Sequence, residues 1–207
     1  MTEERKQAQE MGNSEMQKEK FLLLINQVER DDLDLLIDNL ESMGFFYAPC
    51  STTNHLNVYG GLVEHSVNVC NIALKVSDSV GYSNKESVII ASLLHDVGKC
   101  GDYGKQNYIE NYIKGKGKDE LIQSTAKPFV ANKDLLYIPH EARSIAIVRQ
   151  WFSLTEEEEH AIYYHNGKYT HTGYDLKETP LQMILHFSDL YCSRVTEATK
   201  EEKEKEI

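Results

Sequence analysis

The chain has 207 residues, 41% of them hydrophobic and 27% charged, with a formal net charge of -11. These are ordinary proportions for one globular domain with a core of its own. The acidic excess argues against a broad surface tracking a nucleic-acid backbone; it leaves room for a small nucleotide held by a metal and a few local cations. No run of about 18 apolar residues occurs, and the polar opening MTEERKQAQEMGNSEMQKEK lacks the apolar stretch of a signal peptide. The expectation is a cytoplasmic protein without membrane contact. Cys50, Cys70, Cys100 and Cys192 are scattered with no CxxC pair, so they read as core or incidental thiols rather than a zinc-thiolate or disulfide framework.

Residues 1–18 read as a polar, partly helical lead-in, 19–198 as a single domain, and 199–207 as a charged tail. From 19 to 43, Phe21, Leu24, Ile25, Val28, Leu33, Leu36, Ile37 and Leu40 recur at helical spacing up to Gly44. Residues 45–59 read as an irregular loop. Gly60-Gly61 opens a helix to about Val80, and Ser83-x-x-Glu86 is a capping-box pattern for the next helix, which runs to His95. Residues 97–139 are rich in Gly, Lys, Asn and Tyr and contain short alternations such as Tyr108–Ile113, which predict a small β-hairpin insert around 105–131. Helices are expected from Pro139-His140 to about Phe152, from the Thr155-x-x-Glu158 cap to near His165, and from Pro180 onward. A polar loop spans 166–178, and the end, TEATKEEKEKEI, reads as a charged, frayed continuation of the last helix. The fold class is all-α apart from that insert.

Several of these helices carry one His or Asp on an apolar face. His65 shares a face with Leu62, Val69, Ile72 and Val76; Val88, Ala91 and Leu94 lead into His95-Asp96; Leu181 and Leu185 align with Asp189; His165 follows Ala161 and Ile162. A lone inward histidine is more often a hydrogen-bonded core residue. Several such groups on separate helices point instead to a divalent cation, which neutral imidazole and carboxylate both bind.

GGLVEHS (60–66), ASLLHDVGK (91–99) and HFSDLYCSR (186–194) resemble the His, His-Asp and Asp motifs of the HD-domain phosphohydrolase superfamily. GFFYAPCSTTNHLNVYGGLVEHS and the His140–Ser144 stretch are similar to a branch of small stand-alone HD hydrolases, and the resemblance covers about residues 40–195. It implies that His65, His95, Asp96 and Asp189 hold a first metal. It further implies that Asp96 bridges to a second, which His140 and His165 complete in members with two metals. One or two divalent ions are expected, and the residues do not choose among manganese, iron, zinc, cobalt, nickel and magnesium, since His/Asp sets accept most of them.

The activity so implied is hydrolysis of a phosphate ester, in a nucleotide or a related small molecule, by a metal-activated water. Asp96 and Lys99 are the expected catalytic groups. Lys99 either meets a substrate phosphate or merely caps a helix C-terminus. His55, in the polar loop before the first motif, either contacts substrate or is a surface histidine, and Arg143 is a further phosphate candidate. Glu64 either orients a water or faces solvent. Tyr103, Tyr108, Tyr112, Tyr163 and Tyr164 could stack a base or serve packing; His160, His171 and His186 have no assigned role. Two readings compete with this one. GGLVEH and HNGKY are also similar to segments of an exoribonuclease branch, which implies a 3′-to-5′ exonuclease, although the acidic chain disfavours it. The other is a non-catalytic module stabilised by its metal.

Overall fold

A computed structural model describes residues 3–53, 55–117, 119–167 and 177–198, with side chains from residue 11 onward. Seven α-helices carry the described chain: α1 (Glu3–Ile25), α2 (Leu33–Ser42), α3 (Gly61–Ser79), α4 (Lys85–Leu94), α5 (His140–Val148), α6 (Glu156–Tyr163) and α7 (Pro180–Tyr191). None is long and apolar enough to cross a membrane.

α1 runs through residue 18 without a break, and its inner face continues upstream as Ser14 and Gln17, both buried with Phe21 and Ile25. Phe21 meets Phe45 and Phe46 edge-on, with ring centroids 5.6 and 5.3 Å away. Both partners lie in a 3-10 turn, Phe45–Tyr47, and such edge-to-face contacts fix the angle at which α1 crosses the core. The single helix expected over 19–43 is two helices. Between Ile25 and Leu33 the chain turns, with Asp32 left-handed at φ 66°. The physical reason is a run of charge, Glu29–Asp32, that gives no apolar residue to continue the stripe. The turn is held by charges instead: Glu29 N–H donates to Glu86 (2.7 Å), and Arg30 forms a two-pronged pair with Glu158.

α3 packs against α1, α4 and α7. Its start needs two glycines for different reasons. Gly60 is left-handed (φ 72°), and a Cβ there would meet Ser14 Cβ at 2.6 Å; a Cβ on Gly61 would lie 2.0 Å from the Leu56 carbonyl oxygen. The expected Ser83–Glu86 capping box does not form. Asn84 is the cap, accepting from Ser87 N–H at 3.1 Å, because Glu86 is drawn to the 29–30 turn. The Thr155–Glu158 box forms with both reciprocal bonds, and Pro180 sits in the first turn of α7.

The insert between α4 and α5 is an interrupted hairpin. β3 (Tyr108–Glu110) pairs with β6 (Phe129–Ala131), and β4 (Tyr112–Lys114) with β5 (Leu121–Gln123); a short pair, β1 (Gly101–Asp102) with β2 (Lys105–Gln106), precedes them. The register steps from Glu110↔Phe129 to Tyr112↔Gln123, so residues 124–128 bulge from the returning limb. Asn111 closes the bulge, its N–H donating to Pro128 and its carbonyl accepting from Ser124, both at 2.8 Å.

Two hydrophobic clusters form the core. One joins α1, α2 and Phe45-Phe46 to α3, α4 and α5; the other joins the far faces of α3 and α4 to α6 and α7. α3 and α4 therefore serve both, and they bring His65 and His95 into the interior between them.

Candidate metal centre

The six residues expected to hold metal converge on the Asp96 carboxylate. His65 stands in the first turns of α3, His95 and Asp96 just beyond the end of α4, His140 opens α5, His165 follows α6, and Asp189 lies in the last turn of α7. Asp96 Oδ2 has His95 Nε2 at 3.4 Å and His65 Nε2 at 3.5 Å, and Asp189 Oδ1 is 3.1 Å from the same His65 nitrogen. Asp96 Oδ1, the other oxygen, has His140 Nε2 at 3.3 Å and His165 Nε2 at 3.7 Å, with those two nitrogens 3.3 Å apart. One carboxylate thus faces two sets of donors, one with each oxygen.

The ring orientations are fixed from behind. His95 Nδ1–H donates to the Ser92 carbonyl at 2.8 Å and His165 Nδ1–H to the Ile162 carbonyl at 2.7 Å. A carbonyl only accepts, so each Nδ1 carries the proton and each ring turns its Nε2 toward Asp96. His65 Nδ1 lies 2.8 Å from Glu197 Oε2, which Asn68 holds through a 2.9 Å bond to Oε1. His140 Nδ1 is 3.4 Å from Glu141.

Burial tunes these groups in opposite directions. The carboxylates of Asp96 and Asp189 are held well below the ordinary range: burial alone would raise them, but Lys99 and His95 for Asp96, and His65 for Asp189, outweigh it. Burial lowers His165 to about 4 and also lowers His140 and His55. His65 goes the other way, because Cys50, Asp189 and Glu197 outweigh its burial. Neutral His165 and ionised carboxylates are the forms that ligate a cation.

Among the buried side-chain atoms with no hydrogen-bond partner are His65 Nε2, His95 Nε2 and Asp96 Oδ1. Polar atoms left unsatisfied side by side in the interior would cost several kcal/mol with nothing between them. A divalent cation satisfies all three at once, and N/O sets such as His65–His95–Asp189 and His95–Asp96–His165 could hold one.

Lys99 Nζ donates to Asp96 Oδ2 at 2.6 Å. Burial disfavours its charge, but Asp96, Cys50 and Asp189 more than compensate, and its pKa is raised. His55 stands behind His65, with ring centroids 5.1 Å apart, Nε2 3.5 Å from Cys50 Sγ and 3.6 Å from Glu197. It is thus on the Nδ1 side of His65 and away from Asp96. Arg143 is buried and donates to the Leu136 carbonyl at 2.6 Å. Glu64 accepts from Asn13 on α1 (2.8 Å). Tyr108 and Tyr112 line a cavity beside Lys99, Tyr103 is exposed, and Tyr163 and Tyr164 pack edge-on to one another. His186 Nδ1–H donates to the His165 carbonyl (2.6 Å) and His160 packs against Tyr164; His171 lies outside the described residues.

Two neighbours of the centre carry no distinguishing signal in the sequence. Cys50, read as a core or incidental thiol, is buried against His55 and His65, and burial pushes its pKa up. Glu197 falls in the stretch read as a frayed, charged end, yet its carboxylate is buried on His65. A π-helical turn, Cys192–Thr196, extends α7 and swings Glu197 inward.

The chain matches 39% of positions over 61 residues with a dihydroneopterin 2′,3′-cyclic phosphate phosphodiesterase from Methanocaldococcus jannaschii, a stretch covering 27% of this chain and 24% of that protein. It therefore spans only about a quarter of that relative's length. No solved structure matches the chain. The model of the HD domain matches residues 62–194, from the first turn of α3 into the π-helical turn after α7; the chain belongs to the HD-domain family.

Proposed function

We propose that the protein is a divalent-metal-dependent phosphohydrolase acting on a small phosphate ester, a nucleotide or a related molecule. The observation that carries this reading is Asp96 itself. Its Oδ2 faces His65 and His95, with Asp189 beside His65, and its Oδ1 faces His140 and His165, a donor set that would hold one or two divalent cations. A cation held by these residues would supply a coordinated water of lowered pKa and a Lewis acid for the phosphoryl group.

The chain's own residues do the rest. Lys99 stands 2.6 Å from Asp96 with its ammonium favoured. In this reading it neutralises charge on a phosphoryl oxygen as the P–O bond breaks. The Ser92 and Ile162 carbonyls, with Glu197, keep the ring nitrogens turned inward. The stretch shared with a cyclic-phosphate phosphodiesterase supports including phosphodiesters, 2′,3′-cyclic phosphates among them, in the substrate class.

Phosphate or alcohol release from a panel of nucleotides and cyclic phosphates, with manganese added, tests the reading. Turnover by the wild type and its loss in Asp96→Ala is the expected result. Metal binding without turnover of any ester would make this a non-catalytic, metal-stabilised module.

A further inference from the structure

Beside Lys99, the insert borders a partly open cavity of about 460 Å³ between the Phe45–Tyr47 turn and strands β3, β4 and β6. That volume suits a small-molecule site. Tyr47, Tyr59, Tyr108 and Phe129 line it, Tyr59 and Phe129 meeting edge-on at 5.2 Å. Lys99 and Glu110 are the charged residues among its described lining. Lys99 connects it to the centre through its bond to Asp96. Glu110, on β3, accepts from the hydroxyls of Tyr59 and Tyr112, one on each oxygen.

We propose that this cavity is the base subsite for the phosphoester, and that Glu110 selects a ring with a 2-amino-4-oxopyrimidine edge, as guanine and pterins have. The proposal rests on the phosphohydrolase reading for the ligand's other end. An ionised carboxylate accepts hydrogen bonds only, and each oxygen has capacity beyond its tyrosine. The 2-amino-4-oxopyrimidine edge offers two adjacent donors, a ring N–H and an amino group, which match the two oxygens. Adenine and cytosine set a ring-nitrogen lone pair beside their amino group, and uracil flanks its N–H with two carbonyls. Each would turn an acceptor toward Glu110, a repulsive contact that rejects the wrong ring. The aromatic lining supplies stacking area that any base shares.

Calorimetric titration of the full chain with guanosine, neopterin, adenosine and uridine tests this without any phosphate or turnover. Guanosine and neopterin are expected to bind at least about tenfold more tightly than the other two. Glu110→Gln, at unchanged metal content per chain, should cut that preference to about twofold, since one carboxylate acceptor becomes an amide donor. The tighter of the two favoured compounds separates a nucleotide from a pterin source. Equal binding of all four, or a preference that survives Glu110→Gln, would overturn the assignment. If the variant does not fold, the wild-type ranking decides alone. Failure of the phosphohydrolase reading would appear differently, as no ester cleaved with any metal, and would leave nucleoside selectivity standing.

Discussion

His65 and Glu197 stand 132 residues apart in sequence and 2.8 Å apart in space, imidazole Nδ1 to carboxylate Oε2. Because Asn68 pins the other carboxylate oxygen, the acid is held as firmly as the ring. The consequence falls on the far side of the ring, where Nε2 faces Asp189 at 3.1 Å and Asp96 at 3.5 Å. His95 and His165 are oriented by backbone carbonyls of their own turns. Among the described residues, His65 is the one of the four histidines of the centre whose orientation depends on a carboxylate from the far end of the chain.

Glu197→Ala should therefore weaken metal binding by about 10–100-fold, the usual cost of losing a carboxylate behind a ligating histidine. Competition against a chromophoric chelator measures it. Asn68→Ala, which frees the acid without removing it, should give a smaller loss. Equal affinity in wild type and Glu197→Ala would show that the contact does not tune the centre.

The two faces of Asp96 predict different metal contents. Protein purified without chelators should carry about two ions per chain by elemental analysis, and His140→Ala about one, as in two-metal hydrolases. His65→Ala should remove the ion on the Oδ2 side. A single ion unaffected by His140→Ala would leave a mononuclear centre, with His140 free for substrate.

Much of this centre is legible in the sequence because burial and chemistry coincide. His65, His165 and Asp189 each continue an apolar stripe, so periodicity finds them, and His95-Asp96 follows the buried run Val88–Leu94. Glu197 is illegible for the opposite reason. It sits in TEATKEEKEKEI, where acids recur without apolar spacing, and a π-helical turn alters the register that would place it. The charged run Glu29–Asp32 likewise reads as part of a helix, although its pairing with Glu86 and Glu158 is tertiary. Alternation around Tyr108–Ile113 reveals the hairpin, but the register step at 124–128 depends on Asn111 hydrogen bonds that no periodicity encodes.

Gly98 predicts how tightly α5 is docked. A Cβ there would lie 2.4 Å from the His140 carbonyl oxygen and 2.8 Å from Ser144 N, both backbone atoms that cannot swing aside. Gly98 N–H also donates to Ser144 Oγ at 2.8 Å. Gly98→Ala should force α5 outward at a cost of about 1–3 kcal/mol. Because His140 opens α5, the variant should also lose the ion on the Oδ1 side before the other. A melting curve and a metal count on the same sample check both effects.

Glu158 predicts an acid-dependent stability that has nothing to do with metal. Its buried carboxylate accepts from Arg30 Nη1 and Nη2 (3.0 and 2.6 Å), Ser87 Oγ (2.6 Å) and Thr155 N–H (2.9 Å), tying the 26–32 turn to α4 and α6. Burial would raise its pKa, but the Arg30, Ser87 and Thr155 bonds outweigh that, and the net shift is downward. A depressed folded pKa means the stabilisation is complete above the unfolded value, about 4.3, and is lost as pH falls through the folded one. Glu158→Gln should cost about 2–3 kcal/mol at neutral pH, less than a fully buried pair because Arg30 keeps some solvent. For a chain of this size that lowers the melting temperature by about 5–10 °C. With both proteins chelator-treated, the gap between wild type and Glu158→Gln should narrow steadily below about pH 4, since the wild-type carboxylate then protonates as well. A gap that stays constant from about pH 7 to about pH 3 would mean that packing around Glu158, and not its charge, holds the turn to α4 and α6.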